Sequence, residues 1–318
     1  TTIGNFDGIH LGHQAILNLI IERAKKYKCY SKLITFNPYP FEYFESTKLR
    51  ISSDLDKDNF LKNFGIDSRV YCEFNENFKD LSSEDFFNLY VRKDTTSLVV
   101  GKDFRFGKDR QSGIDDLKKF CVKNSIEFSI FDDYLIQSER VSSSNIRLLL
   151  KNGEFKKAEA LLGRPYKISG RVNAGMKVGR TIQTPTANVQ IDSQQFCFSG
   201  VFLSEVTLRS KKFYGIANFG TKPSFDDYKH SLEVNLFDFD DNIYGEILTV
   251  KFLHKIREQI KFSSLDDLKS QIKKDQKLAK DLIKNYEWEK RLKTKSATYQ
   301  NSNESRFKYP FMGTKKYS

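Results

Sequence analysis

The sequence predicts an α/β chain built as two modules in tandem: a parallel β-sheet with helices on both faces, then a small six-stranded β-barrel with a C-terminal helix. Three observations carry that expectation. Up to about Leu162, short apolar runs alternate with helical periods, the pattern that lays helices on both faces of a parallel sheet. From Lys167 the pattern changes to short strands in succession, separated by turn residues, as in a small closed barrel. Between the two, Gly163-Arg164-Pro165 breaks a helix, which sets the expected modules at 1–162 and 163–290, with a basic extension over 291–318.

In the first module, Thr1 to Phe6 reads as a buried strand, the glycines after it as a tight turn, and Leu11 to Lys28 as an amphipathic helix. The strand Ser31 to Phe36 ends in Asn37-Pro38-Tyr39-Pro40, where two prolines stop pairing. Asp54 to Phe64 is a helix closed by Gly65, Arg69 to Phe74 a strand, and Ser82 to Arg92 a helix capped by Ser82. Leu98 to Val100 is a core strand, followed by the loop Gly101 to Lys108, a helix Ile114 to Lys123 and a strand Glu127 to Phe131. Ligands of such sheets bind at the carboxyl ends of strands, where the glycine turn, the Asn37 to Pro40 turn and the Gly101 loop all fall.

The opening turn, Gly4-Asn5-Phe6-Asp7-Gly8-Ile9-His10-Leu11-Gly12-His13, has the makings of a phosphate site. Its glycines let backbone approach a ligand, and a helix start offers unpaired N–H groups and a positive dipole end. His10 and His13, three apart, share a helical face and can donate to the same phosphates. Val141-Ser142-Ser143-Ser144-Asn145-Ile146-Arg147 places three hydroxyls ahead of a helix with Arg147 on its first turn. That run reads either as simple capping or as a second phosphate clamp of hydroxyl, amide and guanidinium donors.

The second module offers strands at Lys167 to Val172, Thr186 to Gln190, Gly200 to Leu208, Lys212 to Phe219, His230 to Phe237 and Ile247 to Phe252. A closing helix over Leu265 to Tyr286 offers Leu265, Leu268, Ile272 and Leu282 as apolar contacts. Strand alternation puts Thr186 and Asn188 on one face, and Glu233 and Asn235 on one face of another strand. Two neutral oxygens leave a magnesium ion most of its waters and its nucleotide phosphates, as Mg²⁺ prefers. An ordinary strand with one polar face is the alternative.

These strings together resemble the bacterial bifunctional riboflavin kinase/FAD synthetase family. GNFDGIHLGH is similar to the GxFDGxHxGH signature of HIGH-type nucleotidyltransferases in that family's version; ITFNPYP resembles its TFxPHP turn, VVGKDFRFGK its GxDFxFG loop and SSSNIR its SSTxIR motif. In the second half, GRVNAGMKVGRTIQTPTAN resembles the family's glycine-rich start and PTAN motif, GIANFGTKPSF its flap, and SLEVNLFDF and FLHKIREQIKF its final strands. The resemblance implies a Rossmann-like adenylyltransferase followed by a riboflavin kinase barrel, with riboflavin, FMN and ATP as small-molecule substrates. It implies that His10, His13, Ser143, Ser144 and Arg147 hold ATP phosphates, that Gly4, Asn5, Phe6, Asp7 and Gly8 form the nucleotide-binding turn, and that Asp103 lies near nucleotide or flavin. In the kinase half it implies Glu233 as catalytic base, Thr186 and Asn188 as ligands of Mg²⁺ with ATP, and Gly175, Gly179 and Asn218 as substrate-binding residues. Tyr39 stands where the family has a histidine, and is expected at the active site as a weaker, neutral donor. Gln183-Thr184 and Asn235 are further departures from the family pattern.

The chemistry suits those assignments. The attacking group on ATP is FMN's phosphate oxygen, already ionised at neutral pH, so adenylyl transfer needs positioning and charge neutralisation but no base. The ribityl alcohol must lose a proton as it attacks, so the kinase needs one. Two other readings remain: a kinase whose adenylyltransferase half is weakened by Tyr39, and a non-catalytic flavin- or RNA-binding protein.

Composition narrows the partners. A chain of 318 residues with 39% hydrophobic content has room for two cores. No apolar run is long enough for a membrane span and no signal-peptide pattern opens the chain, so a cytoplasmic protein without membrane partners is expected. Because it begins without Met on the first strand, a short leading segment is expected to be missing. The net charge of +12 suits polyphosphate ligands or nucleic acid. Acidic and basic residues interleave, however, and no RNA-binding signature accompanies them, so nucleic acid is not an expected partner. Cys29, Cys72, Cys121 and Cys197 are scattered without a CxxC pair, which points to neither zinc nor disulfides.

Overall fold

A computed structural model describes residues 1–44, 48–173, 186–191, 195–221 and 230–304 of the chain. Its first sheet is parallel throughout, with β1 (Thr2–Ile3), β2 (Lys32–Asn37), β3 (Ser68–Glu73), β4 (Ser97–Gly101) and β5 (Glu127–Phe131) in the order β3-β2-β1-β4-β5. Adjacent residues on these strands face opposite layers, as strand geometry requires. Ile3, Ile34, Leu98 and Val100 pack with Phe86, Phe87 and Leu117 on one face. Leu33 and Val99 pack with Leu17, Ile20 and Leu61 on the other. The chain order reverses between β1 and β4, so a crevice opens at their carboxyl ends.

The helices begin and end where local chemistry directs. α1 (Leu11–Tyr27) is capped by His10, α2 (Pro40–Tyr43) starts on a proline, and α3 (Asp54–Phe64) runs from a Ser53 cap to Gly65. α4 (Glu76–Lys79) is a single turn, α5 (Ser83–Tyr90) is capped by Ser82, and α6 (Ile114–Lys123) precedes β5. A hairpin of β6 (Leu135–Ile136) and β7 (Glu139–Arg140) leads into α7 (Ser143–Lys151) and α8 (Phe155–Leu162). The first strand is shorter than expected. Gly4 N still donates to Ile34 O at 3.0 Å, but Phe6 then turns at φ 49 and pairing stops.

The barrel closes with β8 (Lys167–Asn173), β9 (Ala187–Gln190), β10 (Gly200–Leu208), β11 (Lys211–Thr221), β12 (His230–Leu236) and β13 (Ile247–Arg257) in the order β10-β11-β12-β9-β8-β13. Alternating residues fill it, among them Val172, Phe202, Val206, Phe219, Leu232, Val234, Val250 and Phe252. The same apolar cluster runs on through Ile146, Leu150, Phe155, Ala158 and Leu162 of α7 and α8 to Ile51. The helices α7 and α8 and the barrel therefore share a core, while the sheet keeps its own clusters on its two faces, and Thr1–Ile260 forms one compact unit.

Lys261–Ser318 is a second unit. Its helix α9 (Leu265–Glu304) starts at Ser264, whose hydroxyl accepts from Asp267 N at 3.1 Å. The sequence expectation ended this helix at Tyr286 and read 291–318 as an extension without periodicity. Helix in fact continues to Glu304, because residues 287–304 contain neither glycine nor proline to stop it. Leu265, expected as an apolar contact, is exposed.

Candidate active site

The crevice beyond β1 and β4 is built around the Asp7 carboxylate. It accepts from Ile51 N at 3.1 Å, Ser52 N at 3.3 Å and Arg147 Nη2 at 2.6 Å. The Asp7 carbonyl accepts from Ser143 Oγ at 3.1 Å. Asp7 is buried, and burial pushes its carboxyl up against the opposing pull of the Arg147 guanidinium and the two backbone donors. Its side chain thus joins the turn, residues 51–52 and α7. Gly8 takes φ 78, and a Cβ there would meet Ile51 Cγ2 at 2.8 Å, so only glycine fits this close crossing.

His10 and His13 come together as the spacing predicts. Their rings stack with centroids 3.7 Å apart and 15° between planes, and His10 Nδ1 accepts from His13 N at 3.3 Å as the cap of α1. That acceptor role leaves the proton of a neutral His10 on Nε2. Burial, helped by Arg140, Arg164 and Arg147, lowers the His10 pKa to about 4. Burial and then His10 lower that of His13 as well. Both rings are neutral N–H donors at pH 7. His13 Nδ1 is buried and has no hydrogen-bond partner among the described residues. Phe6 backs the pair, with its ring 4.7 Å from His13.

The serine run divides its labour. Ser142 caps α7 by accepting from Asn145 N at 3.3 Å, Ser143 ties the helix to Asp7, and Ser144 is exposed. Arg147 is fixed by Asp7 and by a 2.6 Å bond from Nε to Leu49 O. Asp103 is exposed on the Gly101 loop and pairs with Arg140 at 2.5 Å; Arg140 also reaches Asp133 at 2.8 Å, which in turn meets Lys102.

Tyr39 departs from the expectation. Neither its hydroxyl nor its ring faces the crevice surface: the residue is 0% exposed, the hydroxyl is buried without a partner among the described residues, and the ring lies under two cations. Arg50 Cζ is 4.3 Å and Lys57 Nζ 4.7 Å from its centroid. Arg50 is held in turn by Glu42 and by Asp54 at 2.5 Å. Lys57 was not singled out from the sequence. It is 1% exposed, and its ammonium donates to Asn5 O and Thr35 Oγ1, both at 2.8 Å, directly beneath the opening turn. Burial drops its pKa to about 7.

On the barrel, three residues line up across adjacent strands. Asn188 of β9 is in register with Glu233 of β12, and Glu233 with Asn218 of β11. Directly paired residues share a face, so the three form one polar row, while Val189, Leu232 and Phe219 turn into the core. Gln259 Nε2 donates to Asn218 Oδ1 at 3.0 Å. Thr186 is exposed just ahead of β9, which starts at Ala187, so strand alternation does not extend to it. Gly175 and Gly179, Gln183-Thr184 and the end of the flap string, residues 222–225, lie outside the described residues. Thr186, Asn188 and the nearby Glu233 carboxylate offer oxygen donors only, the hard-ligand chemistry that fits Mg²⁺.

The FAD synthetase family model matches residues 1–145, and the riboflavin kinase family model matches residues 162–283. The bifunctional riboflavin kinase/FMN adenylyltransferase of Haemophilus influenzae is 38% identical over 286 residues, covering 88% of this chain and 92% of that protein. The chain belongs to the bifunctional riboflavin kinase/FMN adenylyltransferase family. The Escherichia coli K12 member of this family is 35% identical over 287 residues, 89% of this chain and 92% of its own. A solved structure described as a macrolide-efflux protein from Streptococcus pneumoniae shares the architecture at a TM-score of 0.69 and 32% identity, covering 88% of this chain and 93% of that one. Apart from Arg147, the crevice residues named above lie within the stretch matched to FAD synthetase, and the polar row lies within the stretch matched to riboflavin kinase.

Proposed function

We propose that the chain phosphorylates riboflavin with ATP to give FMN, then adenylylates FMN with a second ATP to give FAD and pyrophosphate. The observation that carries the transferase half is the stacked, neutral His10–His13 pair at the head of α1, where helix N–H groups and dipole already favour phosphate. His10 Nε2–H and His13 donate to the ATP phosphates, joined by Ser143, Ser144 and Arg147 on α7. Asp7 holds Arg147 and the turn in place, and Asn5 and Asp103 border the nucleotide and flavin. The FMN phosphate oxygen attacks the α-phosphorus; the new P–O bond forms as the bridge to the β-phosphate breaks, and its electron pair leaves on pyrophosphate. No protein base is required, which agrees with a site that presents donors and keeps its carboxylate turned inward.

In the barrel, Glu233 accepts the proton of the ribityl hydroxyl as that oxygen bonds to the γ-phosphorus and ADP departs. Asn188 and Thr186 hold Mg²⁺ with ATP, and the ion when bound offsets phosphate charge. Gly175, Gly179 and Asn218 border the kinase substrates. Among the described residues no helix is long and apolar enough to cross a membrane. Consumption of ATP at both steps supports a cytoplasmic location.

The test is reciprocal. Glu233→Gln should lower riboflavin phosphorylation by about 10² to 10⁴ and leave adenylylation of supplied FMN intact. His13→Ala should lower FAD formation by about 10² or more and leave the kinase intact. Parallel loss of both activities in either variant would contradict the division of labour.

A further inference from the structure

The strained backbone of the opening turn is held from outside the stretch matched to FAD synthetase. Arg164 Nη2 donates to Gly8 O at 2.7 Å, and Nη1 donates to Ile9 O at 2.8 Å and to Leu162 O at 3.2 Å. Gln14 Nε2 donates to the same Ile9 and Leu162 carbonyls, each at 2.8 Å. The guanidinium lies 4.1 Å over the Phe60 ring. Burial lowers its pKa only to about 10, so it stays charged at neutral pH.

What it holds matters for the imidazoles. Ile9 is fully buried and sits at φ 37, a region that β-branched residues rarely adopt, so its conformation has to be fixed by its surroundings. Because the peptide unit is planar, fixing the Ile9 carbonyl fixes the Ile9–His10 peptide plane and with it the start of α1. His10 is that helix's cap, and His13 stacks on it. The neighbours of Arg164 work in the same place. The Gly163 backbone passes so close to α1 that a Cβ would meet Leu11 Cδ2 at 2.5 Å, and Tyr166 Oη donates at 2.6 Å to Ile51 O, on the residue whose N–H holds Asp7.

We propose that Arg164 is a positioning residue for adenylyl transfer: supplied by the stretch matched to riboflavin kinase, it locks the Gly8–His10 backbone so that both imidazoles are aimed at the nucleotide phosphates. The transferase site is then composite, and the residues matched to FAD synthetase do not complete it alone. This rests on the transferase reading above. Arg164 touches no substrate; it acts through His10.

The experiment uses the full chain with supplied FMN and Mg-ATP, and riboflavin phosphorylation as an independent report of folding. Arg164→Met should lower kcat for FAD by about ten- to a hundredfold, since small misplacements in a site carry losses of that order, with KM for FMN within about twofold. Kinase turnover should stay within about twofold. Arg164→Lys, which can still reach one carbonyl, should recover part of the loss, and methylguanidinium should restore Arg164→Ala where methylammonium does not. Unchanged kcat in Arg164→Met would overturn the proposal. So would a matched fall of both activities and of thermal stability that neither lysine nor methylguanidinium repairs, since that is the behaviour of a residue that only holds the fold. A wild-type chain that makes no FAD removes the underlying reading, whereas active wild type with an equally active Arg164→Met removes this inference alone.

Discussion

Tyr39 sits where a phenol and an imidazole would behave oppositely. Its ring offers a π face to Arg50 and Lys57, each contact contributing about 0.5–2 kcal/mol. An imidazole between the same cations offers a poorer face and cannot take up a proton. Tyr39→His is therefore expected to lower stability by about 1–3 kcal/mol and to slow FAD formation, the reverse of what the turn motif alone suggests. Tyr39→Phe keeps the face and deletes a buried hydroxyl that has no partner among the described residues, so it should raise stability by up to about 1 kcal/mol and change the transferase rate less than about threefold. Urea unfolding and single-turnover adenylylation check both, and a tenfold slower Tyr39→Phe would make the hydroxyl a ligand donor. His10 carries a pH signature. Its folded pKa of about 4 lies below the unfolded value of 6.5, so between these the unfolded chain binds a proton that the folded chain refuses. That stability is complete above about pH 6.5 and is lost as pH falls toward 4. Acidification from pH 7 to 4.5 should destabilise wild type by about 2–3 kcal/mol more than His10→Asn, which keeps a capping oxygen. Equal losses in urea unfolding at the two pH values would mean that His10 is charged in the folded chain. At this scale the glycines and both histidines were legible because their spacing has only one local use. Lys57 was not: within DLDKDNFLKNF it reads as one more lysine on a helix, and only tertiary packing brings its ammonium under Asn5.

The elements that hold the barrel site make a separable prediction. Asn188, Glu233 and Asn218 are placed together by strand register alone, so a change that spares the strand should alter ion binding without altering the row. Thr186→Val combined with Asn188→Leu keeps shape and removes both oxygens. The kinase step should then need a much higher Mg²⁺ concentration while adenylylation keeps its own dependence. An unchanged magnesium titration would move the ion elsewhere. The strands of this row were legible from alternation, and the helix start at Ser82 from its cap. The β6–β7 hairpin was not. Each strand is two residues long, and the turn uses Gln137 and Ser138 at φ 50 and 68, where the usual glycine or asparagine signal is missing. Its Arg140, which lowers the His10 pKa and pairs with Asp103, was missed with it.

Over the whole molecule, the break at Gly163-Arg164-Pro165 reads as a module junction, because glycine and proline interrupt a helix there, but it does not show whether the modules touch. The apolar faces of α7 and α8 pack into the barrel, and Arg50 pairs its backbone with Phe196 through bonds of 2.9 Å from Arg50 N to Gln195 O and from Cys197 N to Arg50 O. Local pattern marks where a chain changes its period, but not whether the faces on either side meet. That continuity places the segment behind the opening turn and the start of the barrel in one packed body. The most direct measurement is a time course of the purified chain with riboflavin and Mg-ATP, with the flavins separated at each point. FMN should rise first and then decline as FAD accumulates with pyrophosphate. Accumulation of FMN with no FAD, or no conversion of riboflavin at all, would contradict the account.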